Sequence, residues 1–364
     1  MIKVLHFELA ANRGGIETFL TSVYQNIDRE KIVFDFITTA KKVPFEEQLN
    51  QLGSTIYHIP AAKNVVAYAK KISEIINEND YDVIHLNKNS AINIVPLLIA
   101  KKAGCKNVIL HSHNTAPTVG KVVFLHYLNR KLLLSPKITK LACSKKAAQW
   151  LFNTDDPEKV TVIPNGIDLE SYHRDQGVRE EIRSRYGIDD KTILLGNVGR
   201  LSQQKNHKYL LDLLERLPTN YKLMIVGKGE LKEELEASVT QKNLTERVIF
   251  TGSVPNVKSY LMAMDLFLMP SLFEGLPVAG VEAQASGLNV IVSDTVSREL
   301  KLTPNIHYVT LSEPTKWIEA IKRYSRSFDE DAVSEVRRSG YDIKQTSKKL
   351  EQLYLELVKG KKSE

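Results

Sequence analysis

Cysteine is nearly absent from this chain of 364 residues: Cys105 and Cys143 are its two, far apart and without metal-ligand spacing. That excludes a disulfide-stapled secreted scaffold and makes a reducing cytoplasm the expected compartment. Long apolar runs are missing too. No window reaches the roughly 18 uninterrupted apolar residues of a membrane-spanning helix, and the richest, 122–134, is broken by His126, Asn129, Arg130 and Lys131. The amino end, Met1-Ile-Lys-Val-Leu-His-Phe-Glu8, lacks the apolar core of a signal peptide and reads as a first strand, so no export is expected. The full G-x-G-x-x-G fingerprint and its acidic partner are absent, which argues against a dinucleotide oxidoreductase. Metal motifs are poor as well. Asp80-Tyr-Asp82 opens a strand, the wrong end for a ligand, and Asp329-Glu-Asp331 falls in a late helical region suited to capping, so no metal is expected.

Negative charge is missing from one long stretch. Between Asp82 and Asp155 there is no Asp or Glu, while eleven Lys/Arg stand there, including Lys101, Lys102, Lys121, Arg130, Lys131, Lys137, Lys140, Lys145 and Lys146. Residues 1–168 carry a net charge of +6 and residues 169–364 a net of +1. The stretch lacks a recognised nucleic-acid motif, and no nucleic-acid partner is expected. An anionic surface near the first half is.

What is present is alternation. Short β-rich runs at 3–7, 33–38, 55–59, 83–86, 108–111, 140–143 and 160–163 are separated by helix-patterned segments. A second series starts at 192–198 and continues at 222–226, 248–251, 266–269, 289–293 and 307–310. Alternation of this kind predicts parallel sheets covered by helices, and the length predicts two domains. Residues 1–168 and 169–342 are taken as the two domains, with the polar stretch to Asp190 as linker. Residues 343–364 are a terminal helix that can pack back on the first domain.

The most informative segment is Pro270-Ser-Leu-Phe-Glu274-Gly275-Leu276-Pro277-Val-Ala-Gly-Val-Glu282-Ala-Gln-Ala-Ser-Gly287. A strand ends at Met269, a loop carries Glu274, Pro277 suits a first helical turn, and Glu282 lies just over one turn inside. Helical Cβ vectors tilt toward the amino end, so Glu282 leans toward the loop that holds Glu274. Carboxylates grip vicinal hydroxyls, and the free N–H groups of a first helical turn grip phosphate. Together they form a nucleotide-sugar site.

The Glu274…Glu282 pair resembles the E-x7-E motif of the retaining GT-B glycosyltransferases of family four. Gly14-Gly15-Ile16-Glu17, His111-Ser-His113-Asn114 and Gly199-Arg200-Leu-Ser-Gln-Gln-Lys205-Asn206 match the same family in order along the whole chain. The likeness is strongest to bacterial capsular and exopolysaccharide transferases. It implies two Rossmann-like domains with parallel sheets facing a central cleft, the acceptor on the first and a nucleotide-sugar donor, commonly UDP-linked, on the second. It further implies Glu282 on the ribose, Glu274 on the transferred sugar and Arg200 and Lys205 on the diphosphate. Of His111 and His113, it favours His113 beside the reacting sugar. Gly227, in the partial glycine pattern Gly227-Lys-Gly229-Glu230, lies near the donor by the same likeness.

Each feature has a plainer reading. The two glutamates suit a helix amino end by its dipole, Arg200 and Lys205 could be solvated, and Gly14 and Gly15, expected to bind the donor because a glycine pair opening a helix admits close approach of a phosphate or sugar, could simply turn the chain. Two other functions also fit the fold class: a catalytically silent partner subunit, and a nucleotide-sugar epimerase. The family's acceptors include sugars on undecaprenyl diphosphate in the cytoplasmic leaflet. An anionic membrane surface is therefore the expected neighbour of the basic first domain, touched through 121–134 and its Phe124, Leu125 and Leu128.

Overall fold

The computed structural model describes residues 1–11, 14–114, 122–135, 138–325 and 327–360. Lys121, Lys137, Lys361 and Lys362, counted above among the basic residues, lie outside the described residues. The chain divides into two compact units, 1–167 with 340–364 and 168–339.

The first unit alternates strictly: β1 (Ile2–Leu9), α1 (Gly15–Asn26), β2 (Ile32–Thr38), α2 (Glu46–Gln51), β3 (Ile56–His58), α3 (Val65–Glu78), β4 (Val83–Lys88), α4 (Val95–Lys102), β5 (Val108–Ser112), α5 (Val122–Arg130), β6 (Ile138–Ala142), α6 (Lys145–Phe152) and β7 (Thr161–Val162). The sheet is parallel in the order β3-β2-β1-β4-β5-β6-β7. All six residues of β4 are buried, as expected of a parallel strand covered on both faces. Side-chain caps fix where helices start: Asn64 accepts from Ala67 N ahead of α3, and Ser144 accepts from Ala147 N ahead of α6.

The second unit runs α7 (Gln176–Arg185), β8 (Ile193–Val198), α8 (His207–Glu215), β9 (Tyr221–Val226), α9 (Lys232–Gln241), β10 (Val248–Gly252), α10 (Val257–Ala263), β11 (Leu266–Met269), α11 (Val278–Ala285), β12 (Val290–Ser293), β13 (Ile306–Val309), α12 (Pro314–Tyr324) and α13 (Ala332–Arg338). Its parallel order is β10-β9-β8-β11-β12-β13. The last helix, α14 (Ile343–Lys359), belongs to the first unit, where Ile343, Leu350 and Tyr354 join the core built by α1 and β1. Each such side chain stabilises by about 1.5–3 kcal/mol on full burial.

The polar stretch 169–190 is not a linker. It forms a short 3-10 helix, Leu169–Tyr172, and then α7, which is fastened to the sheet by charge beside the one buried aliphatic residue it carries, Ile182. Arg179 Nη2 and Arg183 Nη1 reach the two oxygens of Asp265 at 2.6 and 3.1 Å, and Leu194 N donates to the same carboxylate at 2.7 Å. Asp265 and Arg183 are buried. A segment anchored by arginines carries little apolar periodicity, which is why its sequence suggests a connection.

Candidate active site

Both sheets reverse their strand order once, between β1 and β4 in the first unit and between β8 and β11 in the second. Ligands of open α/β sheets sit outside the carboxyl ends of strands at such a reversal. Nearly all the residues singled out from the sequence fall at one of these two places.

In the second unit Asn197 Nδ2, near the end of β8, donates to Leu268 O of β11 at 2.7 Å. The loops that follow are laced together: Leu272 N donates to Gln204 O, Gln204 Nε2 to Phe273 O, and Asn206 Nδ2 to Pro270 O. Lys205 and Glu274 ride on these two loops. Lys205 Nζ approaches Glu274 Oε1 to 2.6 Å, with the side chains only 16% and 10% exposed. This is a close ion pair and not a directed bond, since Oε1 receives no well-angled hydrogen bond. The lysine stem lies over Gly199, where an added Cβ would come within 3.1 Å of Lys205 Cε. His207, buried next to it, is pushed down to about 4, first by burial and then by the Lys205 charge.

Arg200 stands apart from that pair. Its side chain is 74% exposed and its Nε donates to Glu230 Oε2 at 3.0 Å. Gly227 has a structural reason of its own: at φ 148° a Cβ there would collide with Gly199 O. The glycines after β9 therefore let the Arg200 loop pack against them.

Pro277 occupies the N-cap position and α11 begins one residue later; no side chain caps its amino end. The turn follows Gly275 and Leu276 and opens with the N–H groups of Val278 and Ala279, while Gly280 N donates to Pro277 O at 3.0 Å. Glu282, the fifth residue of α11, accepts from Tyr172 Oη at 2.9 Å through Oε1. Sequence reasoning missed this tyrosine because it sits in the stretch taken for a linker. It also missed Gln284, which is buried and binds Gly280 O and Leu300 O through Nε2 and Leu302 N, Thr303 N and Thr303 Oγ1 through Oε1. Gln284 clamps the loop after β12 onto α11. Two cavities of the second unit, about 550 and 540 Å³, are lined by none of these residues.

In the first unit Gly14 is the N-cap of α1 and Gly15 its first residue. The carboxylate of Glu17, which is buried, accepts from Ala10 N at 2.7 Å and Gly14 N at 3.1 Å. A Cβ on Gly14 would lie 2.8 Å from Glu17 Oε2, so glycine here serves the cap, whereas Gly15 faces open space. A carboxylate already at this helix end leaves it better suited to a hydroxyl than to a phosphate.

His111 is fully buried in a stack with His6 and His85, and His85 joins it to Tyr354 Oη of α14 at 2.7 Å. His113 lies at the edge of the stack and is partly exposed. Its Nε2 is 3.1 Å from Asn87 Oδ1, while Asn87 Nδ2 faces His6 and Phe7 O, so Nε2 carries the proton. Burial pushes His113 down to about 3, with a hydrogen bond to Asn165 acting in the opposite direction. It is a neutral imidazole at neutral pH. Among the described residues no three His, Cys, Asp or Glu side chains converge as a metal site would need.

This arrangement has relatives. The signature described as "Glycosyltransferase Family 4" matches residues 13–171, and "Glycosyl transferases group 1" matches 178–337. EpsF of Bacillus subtilis, which is named as a glycosyltransferase, is 32% identical over 94% of this chain and 94% of its own. The chain is a family-four glycosyltransferase. An Escherichia coli UDP-Gal:alpha-D-GlcNAc-diphosphoundecaprenol alpha-1,3-galactosyltransferase is 26% identical over 99% of this enzyme and 98% of itself. The Staphylococcus aureus capsular polysaccharide biosynthesis glycosyltransferase CapH is 24% identical over 98% and 99%. Among solved structures, Anabaena HepE in complex with UDP-glucose superposes with a TM-score of 0.79 at 19% identity, covering 99% of this transferase and 100% of that chain. That likeness shows a shared fold of two Rossmann-like domains.

Proposed function

We propose that this enzyme moves a hexose or N-acetylhexosamine from a UDP-sugar, with retention of configuration, to a saccharide acceptor carried on a lipid diphosphate, in the building of a capsular or extracellular polysaccharide. The observation that carries the reading is the Lys205–Glu274 pair just ahead of the uncapped amino end of α11. A cation and N–H groups for a diphosphate stand there with a carboxylate for hydroxyls. UDP-Gal and alpha-D-GlcNAc-diphosphoundecaprenol are the substrates named for the E. coli relative, and UDP-glucose is the ligand named for the Anabaena neighbour.

In this reading Glu282, oriented by Tyr172, holds the ribose hydroxyls, and Glu274 holds the transferred sugar. Lys205 and Arg200 meet the diphosphate together with the N–H groups that follow Gly275, Leu276 and Pro277, while Gly227 keeps the Arg200 loop in place. As UDP departs, negative charge grows on the β-phosphate oxygen, and fixed cations and dipoles aimed at it lower the barrier. No metal is needed for that step. The acceptor hydroxyl attacks C1 from the face that UDP leaves and gives its proton to the departing β-phosphate oxygen; within the first unit, His113 in its neutral form and the open backbone at Gly15 are the groups read as holding the acceptor.

The enzyme is further read as cytoplasmic and peripheral on the membrane. Among the described residues no helix is long and apolar enough to cross a bilayer. On α5 and the turn after it, Phe124, Leu125, Tyr127, Leu128 and Leu132 are exposed next to Arg130 and Lys131, the composition of a face that dips into an anionic interface.

The test is a thermal-shift screen of UDP-, GDP- and ADP-sugars in chelator, followed by UDP release with and without acceptor. A ligand at 100 times its Kd raises stability by about 2.7 kcal/mol. Stabilisation by UDP-sugars in chelator supports the reading. An isomeric nucleotide sugar formed without acceptor replaces it with epimerase chemistry.

A further inference from the structure

The first sheet ends in a charged pair that none of the roles above uses. Glu8, the next-to-last residue of β1, has φ 74°, in the left-handed region that favours glycine. The register of β1 on β2 slips there, from Phe7 opposite Ile37 to Leu9 opposite Thr38, so Glu8 is the extra residue of a bulge. Bulges re-aim a side chain. The Glu8 carboxylate meets the Nζ of Lys88, the last residue of β4, at 2.6 Å through Oε1.

Two features give this pair a direction. The Lys88 side chain is 5% exposed and the Glu8 side chain 38%, and among the described residues Lys88 has no other polar partner. A buried ammonium persists only when paired, so Lys88 is committed to Glu8, while Glu8 still offers lone pairs outward. Among the described residues no hydrogen bond reaches its Oε2. The pair is neutral overall with its acidic side toward solvent, which suits hydroxyl donors and disfavours phosphate. Its place is the reversal point of the sheet, between β1 and β4, where a ligand of this unit would sit. Strained non-glycine backbone of this kind gathers at binding sites. Tyr68 of α3, buried nearby, is pushed up to about 12 by burial, with the Glu8 charge adding to the rise, and so stays a neutral hydroxyl.

We propose that Glu8, held in place by Lys88, is a saccharide-recognition carboxylate that grips hydroxyls of the acceptor sugar. The proposal rests on the transferase reading above, in which the donor occupies the second unit. Glu8 is the residue that touches ligand, and Lys88 is a positioning residue that acts through it.

The experiment uses octyl α-glucoside, octyl α-galactoside and octyl α-N-acetylglucosaminide as probes on the full chain, followed by saturation-transfer NMR on the sugar ring protons. UDP is titrated separately by calorimetry. The wild type should saturate the ring protons of at least one glycoside, and Glu8→Gln should weaken that glycoside tenfold or more with UDP affinity unchanged. Lys88→Met should weaken it in the wild-type background and add nothing in the Glu8→Gln background, because a residue acting only through Glu8 has no effect once Glu8 is neutral. The Glu8→Gln/Lys88→Met pair leaves no unpaired buried charge, so it serves, read against Lys88→Met, if Glu8→Gln alone fails to fold because it strands the buried Lys88 ammonium. Wild-type glycoside affinity in Glu8→Gln, or ring saturation of none of the three probes by the wild type, overturns the proposal. Additive losses in the double variant overturn the positioning role of Lys88. Failure of the wild type to bind UDP refutes the donor assignment instead.

Discussion

Lys205 and Glu274 neutralise one another at 2.6 Å on two loops that belong to neighbouring central strands. Removing either leaves the other nearly enclosed and unpaired. Lys205→Ala should therefore lower kcat/KM by roughly 10²–10³-fold, the range for one preorganised charge-stabilising group. It should also lower the melting temperature, because Glu274 loses its counter-ion. Steady-state UDP release and a thermal melt measure the two effects; near wild-type turnover would remove Lys205 from the diphosphate.

Arg200 offers a contrast, since its pair with Glu230 is exposed. Exposed pairs contribute about 0–1 kcal/mol, so Arg200→Ala should leave the melting temperature within error of the wild type. The expected loss of kcat/KM, again roughly 10²–10³-fold, would then be read without a folding defect. A variant that melts normally and works normally would make Arg200 a plain surface residue.

The division of labour between the two glutamates can be read by calorimetry with UDP alone. Glu282→Gln should weaken UDP, and Tyr172→Phe should weaken it in the same direction by loosening the carboxylate it holds. Glu274→Gln should spare UDP and impair use of the UDP-sugar. Equal losses of UDP affinity for Glu282→Gln and Glu274→Gln would refute the split.

The histidine stack predicts acid sensitivity. Burial lowers His6 and His113 to about 3 from an ordinary 6.5, and pushes His85 and His111 down as well. Between pH 6.5 and 3 the unfolded chain binds protons that the folded chain refuses, so stability falls as pH is lowered through this window and levels off above it. The urea midpoint should drop between pH 7 and pH 5. His6→Phe, which keeps an aromatic ring against Phe34 and Phe36, should flatten that slope.

Asp265→Ala should destabilise the second unit by about 3–5 kcal/mol, because it leaves the Arg179 and Arg183 guanidiniums with backbone carbonyls but no counter-ion, and Leu194 N without its acceptor. Chemical denaturation is the measurement. A loss below 1 kcal/mol would mean that α7 is held by packing alone.

All thirteen strands read from the sequence are present to within two residues, because buried parallel strands write themselves as short β-branched runs. The start of α11 is displaced by one residue, with Pro277 at the cap. What the sequence hid is held by charge or by close backbone approach. The Arg179–Asp265–Arg183 anchor has no apolar period, and the Glu17 cap on the Gly14 amide cannot be read from the glycine pair. The Lys205–Glu274 pair joins residues 69 positions apart, and nothing in either local motif announces the other.

The return of α14 to the first unit sets an order on synthesis. Residues 168–339 form a continuous unit that can fold as soon as it leaves the ribosome, but the first 167 residues wait for Ile343, Leu350 and Tyr354 to complete their core. For the time it takes to translate 172 further residues, the flank of α1 and β1 that those side chains cover stays bare, and the His85 imidazole lacks its tyrosine. A nascent chain stalled anywhere before α14 thus carries an open apolar seam at its amino-terminal end, and a premature stop near residue 340 would disable the half of the protein made first.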